Sequence, residues 1–492
     1  MLLLGVDLGS SSIKLTVVDG AKDTVVAETS QPPSEMPISA PSHDFAEQDP
    51  DMWWQYFCQG LEVLRVQGID TTAIEAIGFA YQMHGLVCVD AHLNPVRPAI
   101  IWCDSRAVEI GKSAAEHLGT AYCYEHLLNE PGNFTASKLR WVQQNEPHLF
   151  SQIAYVMLPG DYLASKLCQA ASTTAAGLSE GILWDYQAQS LASELLSHWD
   201  IDKNIIAPVV PQFGLQGRLN KTIAQSIGLN PDAAVTYRAG DQPNNALSLN
   251  ALKEGDIAAT AGTSAVIYAS TNSPVSDRFE RINTFLQPAA DDTAAMYGVL
   301  MCINGGARAY AWLKQLLGHY SYPQLNQIAA QAPIGSDGLL FLPFGNGAER
   351  VLGLQSINAS WSNLDFNRHQ LAQMIRSVQE GVACALRYGF DVMKTLGVEG
   401  QRIRAGNNNL FLSKLFAQTV ADLTRVPIEL YHTSGSEGAA RAAGIGIGFY
   451  KNSDECFANL KIIRCHEPNE NAVEALETHY QTWLRALHSR FD

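Results

Sequence analysis

Two aspartates lie close to the ends of segments with strand character, where a carboxylate can act on a bound ligand. Asp241 comes after the apolar residues 234–237 and opens a stretch rich in side-chain amides. A carboxylate held there can accept the proton of a substrate hydroxyl, which is the main general-base work that phosphoryl transfer needs. A simple helix N-cap would also place an aspartate here, so this residue alone leaves both interpretations open.

Asp7 follows an apolar run and precedes a turn of small residues, 9–12. Glycine and short hydroxyl side chains let backbone amides come close to a polyphosphate, and a neighbouring aspartate can hold Mg²⁺ directly or through water. A second turn of this kind, 262–264, lies near the middle of the chain. Ordinary turns have the same composition, so phosphate binding is a hypothesis at this point.

Trp102, Asp104 and Arg106 follow one strand-like run, and His84 follows another. Sugars offer C–H faces that stack on aromatic rings and hydroxyls that hydrogen-bond to charged groups, so this combination suits a polyol. Each residue alone also has a structural explanation. Ligand sites of α/β proteins lie outside the carboxyl ends of strands, and it is this shared placement that indicates a site.

The elements that must position these residues follow an α/β order. Three apolar runs between residues 2 and 28 predict strands joined by tight turns, and Asp49 with Pro50 is typical of a helix start. Strand-like and helical segments then alternate. The strand-turn-strand pattern recurs at residues 256–268, about half a chain later, which predicts two related lobes with a boundary near residues 246–254.

The composition excludes several classes of protein. Hydrophobic residues make up 47% and charged residues 17% of the 492 residues, as in a globular protein. The formal charge of −16 disfavours nucleic acid and membranes as partners, because an acidic surface repels phosphate backbones and anionic lipid. Long apolar runs are absent and nine scattered cysteines form no CxxC pair, so we expect a cytoplasmic protein without a transmembrane helix, zinc site or disulfide framework.

Motifs spread over nearly the whole chain resemble those of the FGGY family of carbohydrate kinases. They are the segment from Gly5 to Ser12, Glu47-Gln48-Asp49-Pro50, Gln82-Met83-His84-Gly85, Arg97 to Trp102, Leu158 to Tyr162, Gly240-Asp241, Asn244-Asn245-Ala246, and Ala261 to Ser264. The Met-His-Gly triplet favours the xylulokinase branch, because the glycerol kinases of this family are expected to carry an Arg-Glu pair there.

The resemblance implies an α/β fold of two actin-like, RNase H-like lobes with the active site in the cleft between them. It assigns residues 1–248 to an N-terminal lobe on the sugar and catalytic side, and residues 249–492 to a C-terminal lobe on the nucleotide side. It implies ATP as phosphoryl donor, Mg²⁺ as cofactor and a small-molecule sugar as acceptor. The expected acceptor is the terminal hydroxyl of a ketopentose, first of all D-xylulose, and a homodimer is left open.

The same resemblance gives each motif a role in the site. Asp241 is the base that deprotonates the sugar hydroxyl, and Asp7 organises Mg²⁺. The implied sugar-binding residues are Met83, His84, Trp102, Asp104 and Gln242. The implied nucleotide-binding residues are Gly9, Ser10, Ser11, Ser12, Gly262, Thr263, Ser264, Gly406 and Asn407.

Two departures from the family pattern bear on specificity. Asn407, Asn408 and Asn409 stand after Gly406 in place of a glycine-rich turn, and we expect the turn to survive because asparagine tolerates the left-handed backbone region. The segment 172–177 lacks the Ser-Asp character of xylulokinases, so another ketose, a polyol or an aldonate stays open as the substrate. From a different class, an actin-like nucleotide switch without sugar kinase activity is the alternative.

Overall fold

The computed structural model describes residues 1–288 and 296–491, which form two compact units. Unit 1 consists of Met1–Leu252, Phe285–Tyr297 and Thr433–Asn459. Unit 2 consists of Lys253–Thr284, Gly298–His432 and Leu460–Asp492. The first crossing, after Leu252, lies close to the expected boundary. Two later segments return to unit 1, however, so a single division after residue 248 does not describe the units.

The first part of the chain holds the elements that carry the predicted catalytic residues. Its strands are β1 (Leu2–Leu8), β2 (Ile13–Asp19), β3 (Thr24–Gln31), β4 (Glu47–Gln48), β5 (Ile74–Tyr81), β6 (Val87–Val89), β7 (Ala99–Ile100), β8 (Tyr155–Met157), β9 (Thr173–Thr174), β10 (Trp184–Asp185), β11 (Ser190–Leu191), β12 (Val209–Val210), β13 (Phe213–Arg218) and β14 (Ala234–Gly240). Its helices are α1 (Pro50–Val66), α2 (Val108–Leu118), α3 (Thr120–Tyr122), α4 (Thr135–Asn145), α5 (Pro147–Phe150), α6 (Pro159–Cys168), α7 (Ala175–Glu180), α8 (Ser193–His198), α9 (Lys221–Ser226) and α10 (Asp241–Ser248).

The later part of the chain supplies the sheet of unit 2 and two helices that return to unit 1. Its strands are β15 (Asp256–Ala261), β16 (Ala265–Thr271), β17 (Asn283–Gln287), β18 (Met296–Ile303), β19 (Leu340–Leu342), β20 (Ser360–Ser362), β21 (Arg402–Gly406), β22 (Ile428–Tyr431) and β23 (Ile462–His466). Its helices are α11 (Gly306–Leu317), α12 (Tyr322–Ala329), α13 (Leu371–Thr395), α14 (Lys414–Thr424), α15 (Gly435–Gly446), α16 (Ser453–Cys456) and α17 (Glu470–His488).

The main sheet of unit 1 has the strand order β13-β14-β5-β1-β2-β3. β1, β5 and β14 run parallel to one another, and β2, β3 and β13 pair antiparallel with their neighbours. The hairpin predicted at the start of the chain is therefore β1-β2, joined by residues 9–12. Because the parallel strands end at the same edge, the polar residues that follow them are brought together there.

Helix α1 begins as the sequence predicts and buries an aromatic face. The Asp49 side chain accepts a hydrogen bond from the Asp51 backbone N–H at 3.0 Å, and Pro50 is the first helical residue. Trp53 and Phe57 of this helix are fully buried in the hydrophobic core of unit 1. The segment that carries the Glu-Gln-Asp-Pro motif is thus anchored to the sheet of unit 1.

Helix α15 lies so close to the same sheet that two strand positions must be glycine. A Cβ atom on Gly5 would lie 1.8 Å from the backbone oxygen of Ser436, and one on Gly78 would lie 2.1 Å from that of Ala439. The hydroxyls of Thr16 and Ser436 also hydrogen-bond at 2.7 Å. A glycine in a strand often marks such a close approach of another backbone.

Unit 2 repeats the arrangement of a hairpin followed by parallel strands. Its main sheet has the order β17-β18-β16-β15-β21-β22-β23, and β15 and β16 form the second predicted hairpin. β21 runs parallel to both β15 and β22. The long helix expected at residues 371–396 is α13, and its apolar residues enter the core of this unit. Within residues 1–288 and 296–491, we find no helix with the length and hydropathy needed to cross a membrane.

Candidate active site

The edge of the unit 1 sheet carries both predicted acidic residues. Asp7 pairs in register with Ala80 of β5, and Gly240, the residue before Asp241, pairs with Tyr81. Gly240 is the N-cap of α10, and Asp241 is the first residue of that helix. The N-cap interpretation of Asp241 is therefore wrong. Its carboxyl group stands instead at the end of a strand, where it can meet a ligand.

Burial raises the pKa of both carboxyl groups, and the charge of Asp7 adds to the effect at Asp241. Burial, followed by the negative charge of Asp7, raises the pKa of Asp241 to about 7. Burial also raises the pKa of Asp7, although the positive charge of Lys14 counteracts this effect. A carboxylate with a pKa near neutrality is suited to general-base catalysis, because it is substantially deprotonated at the working pH and still accepts a proton readily.

The turn that presents Asp241 is packed against the predicted sugar-binding segment. A Cβ atom on Gly240 would lie 2.5 Å from Met83 Cγ and 2.5 Å from Glu180 Oε2. Only glycine fits there, because both side chains already occupy the space. Met83, which is 4% exposed, thus lies directly beside the backbone that carries the base.

His84 is held in a strained conformation beside the same turn. Its backbone has φ = 62°, in the left-handed region that non-glycine residues rarely adopt. Its Nδ1 atom makes a 2.8 Å hydrogen bond to the backbone oxygen of Glu180. The imidazole also contacts the rings of Phe134 and Phe285, with centroid distances of 4.9 Å and 5.3 Å. Such fixed, unusual backbone geometry is typical of functional sites.

Lys138 of α4 connects the two segments that carry predicted sugar-binding residues. Its ammonium group donates to the backbone oxygen of His84 at 2.8 Å and to that of Ile101, which precedes Trp102, at 3.0 Å. The side chain is fully buried, and burial lowers the pKa of Lys138 to about 8. Lys138 therefore fixes the positions of His84 and Trp102 relative to each other.

Trp102 and the first glycine-serine turn lie next to each other. The indole is 46% exposed, and its Nε1 atom is 3.5 Å from the hydroxyl oxygen of Ser10. Gln48 supports this turn by donating to the Ser10 backbone oxygen at 2.7 Å. Gln48 Oε1 in turn accepts hydrogen bonds from Trp53 Nε1 at 3.2 Å and from Gln82 Nε2 at 3.1 Å. The Glu-Gln-Asp-Pro motif thus has the structural role of holding the turn beside the exposed indole.

Asp104 is placed differently from the other predicted sugar-binding residues. Its side chain is 0% exposed, accepts from the Ala46 backbone N–H at 2.6 Å, and forms a two-pronged ion pair with Arg106, with Arg106 Nη2 2.7 Å away. The Arg106 guanidinium also stacks on Phe45 at 3.6 Å. This geometry gives Asp104 a supporting role under the Trp102 loop, and its predicted contact with the sugar stays a prediction.

The amides that follow Asp241 have hydrogen-bonding capacity to spare. Gln242 Oε1 and Asn244 Oδ1 are buried and make no hydrogen bond within the described residues. Asn244 Nδ2 donates to the backbone oxygen of Gly435 at 2.8 Å, and a Cβ on Gly435 would lie 2.6 Å from Asp7 Oδ2. The start of α15 therefore lies against Asp7, and the predicted contact of Gln242 with the sugar stays a prediction.

Unit 2 brings together the other predicted nucleotide-binding residues. The turn 262–264 follows β15 and Gly406 ends β21, so these parallel strands deliver both to one edge of their sheet. The Asn409 side-chain nitrogen is 3.5 Å from the point where a Cβ on Gly262 would lie. Asn409 has φ = 50°, so the asparagine-rich turn does use the left-handed region. Asn407 donates its backbone N–H to Tyr431 at 2.7 Å.

Three residues of unit 1 near His84 and Asp241 are missing from the sequence-based set. Phe134 lies one residue before α4, the helix that carries Lys138. Phe285 comes from a later segment that returns to unit 1, and nothing in its local sequence points to His84. Glu180 ends a short helix, and its importance comes only from the burial of its side chain.

The described residues combine α/β units with a carboxyl group of raised pKa, an exposed indole and unpaired side-chain amides, a set suited to phosphorylation of a polyhydroxylated substrate. The model of the N-terminal domain of the FGGY family of carbohydrate kinases matches residues 2–248, and that of the C-terminal domain matches residues 257–447. The chain belongs to the FGGY family of carbohydrate kinases. This result confirms the predicted family and its carbohydrate kinase activity.

Relatives and solved structures support the same assignment over the full length. The xylulose kinase of Staphylococcus epidermidis is 29% identical over 488 residues, covering 98% of this chain and 95% of the relative. The xylulose kinase of Escherichia coli is 26% identical, covering 98% of each chain. The crystal structure of a xyloylose kinase from Brucella ovis superimposes with a TM-score of 0.88 at 25% identity, covering 99% of this chain and 100% of the other. The predicted fold is thereby confirmed.

Proposed function

We propose that this protein transfers the γ-phosphoryl group of ATP to a ketopentose, converting D-xylulose to D-xylulose 5-phosphate. The observation that carries the proposal is the Asp241 carboxyl group, with its pKa of about 7, directly after Gly240, whose backbone packs against Met83 at the edge of the unit 1 sheet. The similarity to xylulose kinases over nearly the whole chain supports the choice of sugar. The expected cytoplasmic location and the open question of a homodimer stay predictions.

Asp241 removes the proton from the terminal hydroxyl of the sugar as that oxygen attacks the γ-phosphorus. The bond between the γ-phosphorus and the bridging oxygen breaks, and ADP leaves with the bonding electrons. His84 and Trp102, fixed by the Lys138 ammonium, hold the sugar so that the reacting hydroxyl faces Asp241. Positioning of this kind provides a large part of the catalysis of phosphoryl transfer.

Asp7 fits the predicted magnesium ion. Its carboxyl group has a raised pKa and repels that of Asp241, so a cation at this point is electrostatically favourable. Mg²⁺ is commonly held by one or two carboxylates together with waters and substrate phosphates, which agrees with the lack of a larger cluster of metal-ligating side chains in the described residues. When bound, the ion neutralises charge on the phosphates. The predicted nucleotide-binding residues are Gly9, Ser10, Ser11 and Ser12 in unit 1 and Gly262, Thr263, Ser264, Gly406 and Asn407 in unit 2, and these roles stay predictions.

An ADP-release assay with ATP and Mg²⁺ tests this proposal on a panel of ketopentoses, hexuloses, polyols and aldonates. We expect D-xylulose to give the highest kcat/KM and ATP hydrolysis without sugar to be slow. If another sugar in the panel gave the highest kcat/KM, that sugar would replace D-xylulose as the proposed substrate, and the assignment as a kinase would stand. ATP hydrolysis that no sugar stimulates would contradict the kinase and favour the nucleotide switch.

The rate should depend on pH through Asp241. Because only the deprotonated carboxylate accepts a proton, kcat/KM should fall roughly tenfold per pH unit below about 7 and level off above it. Steady-state kinetics between pH 5.5 and 8.5, with the coupling enzymes in excess at each pH, measure this profile. A rate that stays constant from pH 5.5 to 8.5 would contradict the assigned base.

His84→Asn should act on the sugar and not on the nucleotide. Asparagine tolerates the left-handed backbone that His84 adopts, so the variant removes the ring while keeping the loop. We expect the KM for the sugar to rise by roughly tenfold or more, as for loss of a specific contact, with the KM for ATP unchanged. The matched control is His148→Asn on the exposed face of α5. An equal loss of affinity for both substrates would give His84 a structural role only.

A further inference from the structure

Glu180, the last residue of α7, is a buried carboxylic acid whose hydrogen-bonding capacity is largely unused, with the Tyr81 hydroxyl as a weak neighbour. The residue is 2% exposed, and neither carboxyl oxygen makes a hydrogen bond within the described part of the chain. Burial and the charge of Asp241 raise its pKa well above the usual range, although the Tyr81 hydroxyl acts in the opposite direction. In its protonated form, which this shift favours, the carboxyl group can both donate and accept a hydrogen bond.

Glu380, another buried acid of this protein, has several hydrogen-bond partners. Glu380 in unit 2, which is 0% exposed, accepts from the Gly335 N–H at 2.9 Å, the Ser336 hydroxyl at 2.6 Å and Arg376 Nε at 2.7 Å. An acid without such partners makes the folded state less stable, because its desolvation is not offset. We therefore expect an apolar residue of similar size at position 180 to leave the protein at least as stable.

The position of Glu180 points instead to a role in the sugar-binding site. Its backbone oxygen bonds to His84 Nδ1 at 2.8 Å, and its Oε2 atom and Met83 Cγ both lie 2.5 Å from the point where a Cβ on Gly240 would stand. The carboxyl group thus adjoins both the sugar-binding segment and the turn that carries Asp241. Met83 lies beside it, and the unbranched side chain of a methionine adapts easily to a ligand.

We propose that Glu180 is a sugar-binding residue whose carboxyl group hydrogen-bonds to a hydroxyl near the one that Asp241 deprotonates. The inference rests on the proposed function, since it takes a ketose as the ligand. The sugar provides the partner that the carboxyl group lacks in the free protein, once Met83 shifts aside. A site with a buried polar group discriminates strongly against an analogue that lacks the matching hydroxyl, because that group is then left unpaired.

Glu180→Leu separates this role from a structural one. The variant replaces an unpaired acid by an apolar residue of similar size, so we expect its Tm to equal or exceed that of the wild type. We expect its KM and calorimetric Kd for D-xylulose to rise by at least roughly tenfold, with the KM for ATP unchanged. Glu180→Gln, which still donates and accepts, should stay within about threefold of the wild type. Glu380→Gln serves as the control and should lower the Tm, because the amide cannot serve all of its partners.

Monodeoxy ketopentoses identify the hydroxyl. The deoxy sugar that lacks the hydroxyl bound by Glu180 should bind the wild type weakly. Its Kd should be the same for the wild type and for Glu180→Leu. An unchanged sugar Kd in Glu180→Leu, or a kcat that falls equally for every sugar while Kd stays constant, would overturn the proposal. Calorimetry does not depend on turnover. A wild type that binds the sugar without transferring phosphate would therefore overturn the proposed function and still allow Glu180 to be tested.

Discussion

Asp241→Asn should lower kcat by roughly 10²–10⁴ while the affinity for the sugar changes much less. The amide keeps the shape of the side chain, so the turn after Gly240 and its contacts with Met83 should remain. What is lost is the proton acceptor for the sugar hydroxyl. Steady-state kinetics with D-xylulose and calorimetric titration of the sugar measure the two effects separately.

The stability of Asp241→Asn provides the control for this loss. Burial and Asp7 raise the pKa of Asp241 to about 7 in the folded protein, well above the value of about 4 in an unfolded chain. The folded state therefore holds a proton that the unfolded state has lost, and its stability falls as pH rises towards 7. At pH 8 the amide removes this unfavourable charge, so the Tm should not decrease. A kcat close to that of the wild type would exclude Asp241 as the base.

Gly5→Ala should be the most destabilising single methyl addition in unit 1. The new Cβ would lie 1.8 Å from the Ser436 backbone oxygen and 2.4 Å from the Ala440 backbone nitrogen. A helix backbone cannot yield as a flexible side chain does, so α15 must move off the sheet. We expect the free energy of unfolding to fall by about 3 kcal/mol or more, which is at the upper end for overpacked sites. The variant should show a clear drop in Tm or be insoluble.

Gly68→Ala is the matched control for this substitution. Gly68 has φ = 90°, and a Cβ there would meet no atom within 4 Å. Its alanine variant carries only the backbone cost of the left-handed region, about 1–2 kcal/mol. Differential scanning fluorimetry of both variants should show a larger loss for Gly5→Ala. Equal Tm values for the two would show that the approach of α15 does not limit stability.

Local sequence predicted the strand ends and the helix starts because those features depend on neighbouring residues. Apolar periodicity, small-residue turns and capping chemistry predicted three such features. They are the hairpin around residues 9–12, the N-cap at Asp49 and the helix at 371–396. The edge that carries Asp7 and Asp241 follows from the same reasoning, since parallel strands end together.

Features that depend on distant contacts were beyond this reasoning. Phe285 reaches His84 from a segment that returns to unit 1 late in the chain, and a linear division into lobes misses such a return. Asp104 has the residue type of a sugar ligand, but Arg106, two residues away, occupies its carboxylate. Glu180 is unusual only because its surroundings leave it unpaired, and burial of this kind cannot be read from one sequence.

The position of α15 in the chain also sets the order in which this protein can mature during translation. Thr16 and Ser436 hydrogen-bond across 420 residues of sequence, so one face of the first sheet stays bare until almost the whole polypeptide has left the ribosome. This face of the sheet is not covered by α15 until most of the second unit, up to His432, has been synthesised. A gene split after Leu252 would therefore yield a first fragment that is incomplete by itself and needs residues 433–459 supplied in trans.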